Sequence, residues 1–343
     1  MRDIKELSLK ELEDNLVSSG SPKYYAKEIF KWIYQKGAYE FSSMSNLPVN
    51  LRKSLAAQFY ILGLEIADLQ KSNDRTVKFL FELKDRNLIE AVNIPAHKRL
   101  TCCISSQAGC KFACDFCASG IEGFKRNLTK GEILDEVLYL KNSTEEDRLT
   151  HIVFMGSGEP FDNYENVLGA IRIINSPLAF NIGARRITIS TCGIIPGIKR
   201  LESEDLQIEL SISLHAADDK TRTQLMPVNK KYPLAELIKC CREYVTKTKR
   251  QITFEYILIK DVNSSLTDAH KLVTLIKDLK LAKINLIPAN SVPELKVMPP
   301  APQEVDSFKE SLLKAQINVT VRKERGQDIA AACGQLRLRY EKK

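Results

Sequence analysis

The residues best suited to chemistry are three cysteines, Cys110, Cys114 and Cys117, in the run CKFACDFC. This spacing, flanked by Gly109 and Gly120, is typical of a loop wrapped around an iron–sulfur cluster. A [4Fe–4S] cluster that only carries electrons has a protein ligand on each iron, so three cysteines leave one iron open. An open iron binds the amine and carboxylate of S-adenosylmethionine, and the reduced cluster then cleaves the sulfonium to a 5′-deoxyadenosyl radical.

A structural zinc site is the alternative for this motif. A zinc knuckle takes four Cys or His ligands in two close pairs, and no histidine follows within the next thirty residues. Phe116, directly before the third cysteine, is placed to cover a bound adenine, and the alternative is an aromatic residue of the core.

The composition indicates a globular protein with a basic surface. The chain has 343 residues, 51 Lys and Arg, 43 Asp and Glu, and a net charge of +8. This excess favours a polyanionic partner, and a solvated basic surface is the alternative. No apolar run approaches a membrane span, and the charged N-terminus lacks a signal-peptide core. We expect a cytoplasmic protein with no membrane contact, whose nine cysteines are thiols or cluster ligands rather than a disulfide scaffold.

The periodicity changes twice along the chain, which predicts a helical accessory domain over 1–62, a linking β-hairpin over 63–96 and a barrel over 97–343. The first region contains LKELEDNLVSSG and YYAKEIFKWIYQKG, with apolar residues at helical spacing. The hairpin is formed by TVKFLFEL and NLIEAVNIP. Basic residues recur every fourth position of the second helix, so they share a face that can meet phosphates or simply face solvent: Lys23, Lys27 and Lys31.

The third region alternates strand-like and helical patterns. The strand-like runs are HIVFMG (151–156), RRITIS (185–190), QIELSIS (207–213), QITFEYILI (251–259), AKINLIP (282–288) and INVTVR (317–322). Helical patterns follow most of them, including NYENVLGAIRII and LAELIKCCREYV. This order predicts an α/β fold with a parallel sheet and right-handed crossovers, here a partial (β/α)6 barrel.

Polar and glycine residues follow several of these strands. In barrels of this kind, catalytic and binding residues lie at the C-terminal ends of the strands. A serine or asparagine at such a position usually belongs to a turn or caps a helix. Four strand ends of this kind at the same end of one barrel indicate a binding or catalytic site. Glycines in the first end allow close approach of backbone to a ligand, and Glu159 offers a carboxylate to its amine. The four ends are Gly156–Pro160, Ser190–Gly193, Ser213–Ala216 and Ala289–Asn290.

Taken in order, the runs CKFACDFC, GFKRNLT, MGSGEP, ISTCG, SISLHA, MPVN, INLIP and AACGQL resemble those of the RlmN-type radical S-adenosylmethionine adenine methyltransferases. That family methylates carbon 2 of an adenine in 23S rRNA and in tRNA. The resemblance covers nearly the whole chain and implies that Cys110, Cys114 and Cys117 ligate the cluster. It also implies that S-adenosylmethionine is held by Gly158, Glu159, Ser190, Ser213, Leu214, His215 and Asn290.

The resemblance also implies how the methyl group moves. Carbon 2 of adenine is electrophilic, so direct displacement from a sulfonium has no nucleophile to use. In the family, a cysteine corresponding to Cys333 is first methylated by one S-adenosylmethionine, and a radical from a second molecule activates that methyl group. Cys103 corresponds to the cysteine that resolves the protein–RNA adduct through a transient disulfide, and Glu90 to the acceptor of the carbon-2 proton. An external electron donor such as flavodoxin or ferredoxin, and a monomer, are expected.

Departures from the family pattern and three rival functions remain at this point. Ser157 replaces a methionine, Cys192 replaces a small or apolar residue, and Cys102 beside Cys103 makes the resolving role ambiguous.

The closest rival function is methylation of adenine carbon 8, which the proline of GEP disfavours. A non-catalytic iron–sulfur or zinc RNA-binding module would not need Cys333. A glycyl-radical activating enzyme would need neither Cys333 nor the N-terminal region.

Overall fold

The computed structural model describes residues 1–143, 149–290, 295, 297–323 and 325–336. The helices are α1 (Leu9–Ser18), α2 (Tyr25–Phe30), α3 (Val49–Gln58), α4 (Lys130–Asn142), α5 (Tyr164–Asn175), α6 (Ile195–Leu201), α7 (Asp219–Leu225), α8 (Leu234–Thr248), α9 (Leu266–Ile276) and α10 (Pro302–Lys314). The first strands are β1 (Arg2–Asp3), β2 (Phe59–Tyr60), β3 (Glu65–Lys71), β4 (Val77–Glu82), β5 (Leu88–Ala96), β6 (Arg99–Ile104), β7 (Gln107–Ala108) and β8 (Arg126–Asn127). The later strands are β9 (His151–Phe154), β10 (Ile187–Thr191), β11 (Glu209–Ser213), β12 (Ile252–Leu258), β13 (Ala282–Pro288) and β14 (Asn318–Val321).

One twisted sheet organises most of these elements. Within the described ranges its strand order is β14-β13-β12-β11-β10-β9-β6-β5-β4-β3. The strands from β6 to β14 pair in parallel, and the strands from β3 to β6 pair antiparallel. The α/β fold with a strand–helix barrel is therefore confirmed. Among the described residues, no helix is both long and apolar enough to cross a bilayer.

The hairpin is part of the barrel sheet rather than a separate linker element. Its second strand, β5, pairs antiparallel with β6, and β6 pairs parallel with β9. The sequence analysis did not predict β6, whose run RLTCCI alternates poorly. The strand–helix series therefore has one more parallel strand than the six predicted. The predicted boundaries at 62/63 and 96/97 stay predictions, and residues 337–343 of the third region lie outside the described ranges.

The N-terminal region packs on the barrel through a shared core and a buried ion cluster. Lys5 is fully buried, and its ammonium lies 2.7 Å from Asp3 and 3.0 Å from Asp135 on α4. The same ammonium contacts the carbonyl of Ile61, and Asp135 accepts the backbone N–H of Gly63 at 2.8 Å. Because a buried charge is tolerated only when it is paired and hydrogen-bonded, this cluster fixes α4 against the chain around residue 61.

We expect Asp135→Ala to destabilise the protein by about 3 kcal/mol, since it leaves a buried ammonium with fewer anionic partners. Urea unfolding would measure the loss. Asp14→Ala is the matched control: the Lys10–Asp14 pair has side chains that are 77% and 61% exposed, so its loss costs less than about 0.5 kcal/mol. Equal effects of the two substitutions would contradict the anchoring role of the buried cluster.

Candidate active site

The three cysteines lie on a loop that a short β-ribbon closes. Strands β7 and β8 pair antiparallel at its base, and Arg126 of β8 donates two hydrogen bonds of 2.8 Å to Glu132 at the start of α4. Gly109 has a φ of +75°, and a Cβ at this position would lie 1.8 Å from the carbonyl oxygen of Gly123. The loop therefore requires glycine where it begins, because both the conformation and the close approach exclude a side chain.

The cysteine loop covers a cavity of about 160 Å³ at the C-terminal ends of the barrel strands. The cavity brings together most of the residues that the sequence analysis assigned to the cluster and to S-adenosylmethionine. The predicted residues in its wall are Cys110, Cys114, Phe116, Cys117, Gly158, Glu159, Ser190, Ser213, His215 and Cys333. Two predicted residues lie elsewhere: Leu214 is a buried residue behind the wall, and Asn290 lines a neighbouring cavity.

Glu159 connects two strand ends. One carboxylate oxygen accepts the backbone N–H of Phe161 at 3.0 Å, and the other accepts that of Cys192 at 2.7 Å. Burial raises the pKa of Glu159, and these two N–H groups act in the opposite direction. Because both oxygens already accept backbone hydrogen bonds, the carboxylate positions the turns after β9 and β10. Its expected contact with the amine of a ligand stays a prediction.

Arg222 organises the ends of β10 and β11. This fully buried guanidinium donates hydrogen bonds to the carbonyls of Cys192 (2.9 Å), Ser213 (3.2 Å) and Leu214 (3.1 Å). Asn229, the last residue of the MPVN run, accepts a further bond from it at 2.8 Å. The arginine thereby satisfies carbonyls that the strands leave unpaired at the cavity wall. Sequence reasoning missed this residue, and MPVN was the only signal that pointed to it.

His215 supports the site from within the protein. Its φ is +57°, its Nδ1 accepts the N–H of Ile257 at 3.0 Å, and its ring meets Phe116 edge-on at 4.6 Å. Burial, with a smaller contribution from Arg222, lowers the pKa of His215 to about 3, so the imidazole is neutral. The imidazole thus positions β12 and Phe116.

Cys333 lies where the cluster cavity meets a second cavity of about 660 Å³ inside the barrel. Three hydrogen bonds fix the segment around it. The side-chain amide of Asn290 donates to the carbonyl of Cys333 at 3.0 Å, and the N–H of Ala118 donates to that of Gly334 at 2.8 Å. The ammonium of Lys78, on β4, lies 3.4 Å from the carbonyl of Ala330. The candidate catalytic thiol is therefore tied to the residue that follows Cys117.

The two neighbouring cysteines of β6 point to opposite faces of the sheet. Cys103 packs with Ala331 and Leu336, on either side of Cys333, and burial raises the pKa of its thiol to about 12, with a smaller contribution from Cys333. Cys102 instead faces α4 and donates a hydrogen bond of 2.9 Å to the side chain of Asn93. Only Cys103 is on the side of Cys333.

Glu90 lies on β5, on the same face as Cys103. Val92, two residues along β5, is the register partner of Cys103, so alternation places Glu90 on this face as well. Its side chain is 4% exposed, and its carboxylate lies 3.2 Å from the ammonium of Lys78. Glu90 lines neither cavity, but Lys78 connects it to the segment that carries Cys333.

Two charged residues of the barrel interior escaped the sequence analysis. Glu255 and Arg322 line both cavities, as does Cys333. Glu255 accepts hydrogen bonds from Asn285 (2.7 Å) and Ser211 (3.3 Å), and Arg322 reaches the sulfur of Met155 at 3.6 Å. The nearby thiol of Cys333 raises the pKa of Arg322, against the effect of burial. Polar alternation in QITFEYILI was the signal for Glu255.

The donor set of the loop fits an iron–sulfur cluster. Within the described residues, no three Cys, His, Asp or Glu side chains converge as a single metal ion requires. A cluster takes each thiolate on a different iron, which suits three cysteines of one loop that line the same cavity. Burial raises the pKa of Cys110, Cys114 and Cys117. Thiolates in such surroundings need a strong positive charge, which bound iron supplies.

Comparison with known proteins identifies the family. The radical SAM superfamily model matches residues 104–273, and the model of the ribosomal RNA large subunit methyltransferase N-terminal domain matches residues 2–61. The probable dual-specificity RNA methyltransferase RlmN of Thermoanaerobacter sp. (strain X514) is 47% identical over 343 residues, which are 100% of this chain and 99% of that protein. The chain belongs to the RlmN family.

Further relatives agree with this assignment. The probable dual-specificity RNA methyltransferase RlmN of Clostridium novyi (strain NT) is 44% identical over 341 residues, 99% of each chain. The crystal structure of a radical SAM methyltransferase from Sphaerobacter thermophilus has a TM-score of 0.96 at 42% identity, covering 99% of this chain and 100% of that one. The chain is thus a radical SAM methyltransferase that acts on RNA, and the RlmN family implies binding of S-adenosylmethionine and an iron–sulfur cluster.

We expect acid to destabilise the protein through His215. Its pKa falls from 6.5 to about 3 on folding, so below pH 6.5 the unfolded chain binds the proton more readily and stability decreases as the pH falls toward 3. The slope is at most about 1.4 kcal/mol per pH unit. Urea unfolding between about pH 6.5 and pH 4 would measure it.

His215→Asn is the matched variant, since asparagine tolerates a positive φ and retains an acceptor but does not titrate. Its stability should vary less steeply with pH over this window. If the free energy of unfolding fell equally steeply with pH in both proteins, His215 would not titrate as its burial predicts.

Proposed function

We propose that the chain methylates carbon 2 of adenine in 23S rRNA and in tRNA, through a methyl group carried on Cys333. The observation that carries this proposal is the position of Cys333 between two cavities. On one side are the cysteine loop and the strand ends proposed for S-adenosylmethionine; on the other is a space large enough for a nucleotide. A thiol in this position can take a methyl group from one side and present it to the other.

The first step uses Cys333 as a nucleophile. Its sulfur attacks the methyl carbon of one S-adenosylmethionine, so an S–C bond forms as the sulfonium bond breaks and S-adenosylhomocysteine leaves. The hydrogen bonds from Asn290 and Ala118 hold the carbonyls of Cys333 and Gly334 during this step. When bound with a second S-adenosylmethionine, a [4Fe–4S] cluster on Cys110, Cys114 and Cys117 supplies a 5′-deoxyadenosyl radical.

The later steps use Glu90 and Cys103. Once hydrogen is removed from the methyl group on Cys333, the methylene radical adds to carbon 2 of adenine and joins protein to RNA through a thioether. Glu90 accepts the carbon-2 proton, and the one electron in excess on the adduct would pass to the bound cluster, which leaves a closed-shell thioether. The Cys103 thiol then attacks the sulfur of Cys333, so an S–S bond forms as the S–C bond to the base breaks. The released carbon takes up the proton that the Cys103 thiol loses, which gives the methylated base. Its packing against Ala331 and Leu336, on both sides of Cys333, supports this assignment.

The partners follow from this chemistry. Each turnover uses two molecules of S-adenosylmethionine, with electrons from an external donor such as flavodoxin or ferredoxin. The substrates and the donor are cytoplasmic, so we place the protein in the cytoplasm. We expect it to act as a monomer.

Mass spectrometry of the adenine after anaerobic incubation with RNA and labelled S-adenosylmethionine tests the position of the methyl group. A product methylated only at carbon 8 would reject carbon 2.

We expect Cys333→Ala to reduce RNA methylation to background, because Cys333 is the one thiol among the described residues that line both cavities. Radiolabel transfer to RNA would measure the loss. Cys240→Ala is the control: Cys240 is a buried cysteine of α8, and its loss should leave transfer near the wild-type level. An active Cys333→Ala variant would rule out the carried methyl group.

We expect Cys103→Ala to accumulate a covalent protein–RNA adduct, since the thioether forms and cannot be resolved. A denaturing gel would show the adduct as an RNA-labelled protein band. Cys102→Ala is the matched control, because its thiol is bonded to Asn93 on the opposite face, so it should turn over without a trapped species. An adduct in the Cys102 variant but not in the Cys103 variant would reverse the assignment.

A further inference from the structure

The cavity on the inner side of Cys333 has two zones. Its volume of 660 Å³ lies within the range of about 300–1,000 Å³ typical of ligand pockets. Close to the thiol, Val153, Met155, Ile287 and Ala331 form an apolar zone of the wall, beside the charged Glu255 and Arg322. Away from the thiol it is formed by residues at the beginnings of the barrel strands and by the chain after β14. We name this outer zone the basic port.

The port is strongly cationic. Of the described residues that line the cavity, six are basic and two are acidic, Glu209 and Glu255. Glu255 lies at the inner end, where Asn285 and Ser211 bond to it. The basic residues come from several separate segments of the chain, namely Arg99, Arg185, Lys283, Arg322, Lys323 and Arg325. Arg99, Arg185 and Lys323 are exposed, so the port opens to solvent.

Neighbouring cations add to the effect of burial on two titratable groups at the port. Burial, and next the neighbouring Arg322, lower the pKa of Arg99. Burial, followed by Arg99 and Arg186, lowers the pKa of His151 to about 4. Arg325 has an acidic neighbour, Asp74, at 3.7 Å, and Arg185 bonds to the side chain of Gln207 at 2.8 Å and lies near Glu209. Cations left near one another at a cavity mouth favour an anion between them.

We propose that the basic port is where single-stranded RNA enters, with the target base against the apolar zone and its flanking phosphates on Arg185 and Lys323. This inference rests on the proposed function, since it takes Cys333 as the group that meets the base. The cofactor cavity covers the other side of Cys333, so the base arrives from the strand-start end of the barrel. Arg185 precedes β10 and Lys323 follows β14, so the two cations approach the nucleotide from different segments of the chain.

The apolar zone suits a base that has left its stack. An extruded base is held by stacking between apolar or aromatic side chains, and its phosphates stay with the solvent-exposed cations.

The lysine face predicted on the N-terminal helices is the competing RNA surface. There Lys31 is paired with Glu28 at 2.9 Å, which reduces the charge available to phosphate, while Lys23 and Lys27 are exposed.

The test is the double variant Arg185→Gln/Lys323→Gln in the full-length protein. The probe is a synthetic RNA hairpin with an unpaired adenine in its loop, and binding is followed by fluorescence anisotropy over a salt series. Each lost phosphate contact lowers the slope of log K against log salt by about 0.7, which is about fivefold in affinity at 0.1 M salt. We expect a decrease in slope of about 1.4 and about 25-fold weaker binding for the double variant.

Controls separate this inference from the proposed function. Lys314→Gln, an exposed lysine at the end of α10, should bind RNA as the wild type does. Methylation of Cys333 without RNA, read from the intact mass of the protein, should be unchanged in the double variant because the port is on the other side of the thiol. If the wild type showed no methylation of Cys333, the proposed methyl transfer through Cys333 would be rejected. The effect of the double variant on RNA binding would still hold.

Two outcomes would contradict the entry of RNA through the basic port. One is unchanged affinity and salt slope in the double variant while the wild type binds the hairpin. The other is a larger loss of binding in Lys23→Gln/Lys27→Gln than in the double variant, which would place the RNA on the N-terminal lysine face.

Discussion

The active site depends on the attachment of the Cys333 segment to the loop that holds the three cysteines. The N–H of Ala118, directly after Cys117, bonds to the carbonyl of Gly334, directly after Cys333. A buried carbonyl needs a donor, so this bond stabilises the segment and at the same time sets the spacing between the proposed cluster ligands and the thiol. Asn290 and Lys78 satisfy the carbonyls of Cys333 and Ala330 from the other sides. Three distant parts of the sequence therefore meet at one thiol.

The polarity of the barrel interior separates the two cavities around that thiol. In most barrels of this kind, layers of branched apolar side chains fill the interior. Here the inward positions carry Ser211, Glu255, Asn285 and Arg322. Burying these groups costs free energy unless they bond to one another, and the hydrogen bonds to Glu255 partly offset that cost. A polar wall leaves space open on the inner side of Cys333, where packed apolar side chains would fill it.

The sequence predicted the parts of the site that follow from parallel topology. Residues after successive strands meet at one edge because parallel strands end together, so the runs around Gly158, Ser190 and Ser213 were placed on one rim without coordinates. Arg222 was not predictable in this way, because its role depends on carbonyls from two other strands that no local pattern connects to it. The contact of Asn290 with the ligand stays a prediction, whereas the bond of its side-chain amide to Cys333, between positions 43 residues apart, was not predictable from the sequence.

Strand β6 shows how backbone pairing alone distinguishes two adjacent thiols. It was missed as a strand because both its cysteines count as apolar, which hides the alternation. It pairs antiparallel with β5 on one edge and parallel with β9 on the other, so two ladders fix its register. Cys103 is thereby matched to Val92 and Val153 on the inner face, and Cys102 is turned outward. A slip of one residue would exchange the two side chains and would have to break both ladders at once. Which of the two neighbouring cysteines faces the Cys333 segment is therefore decided where the hairpin joins the barrel.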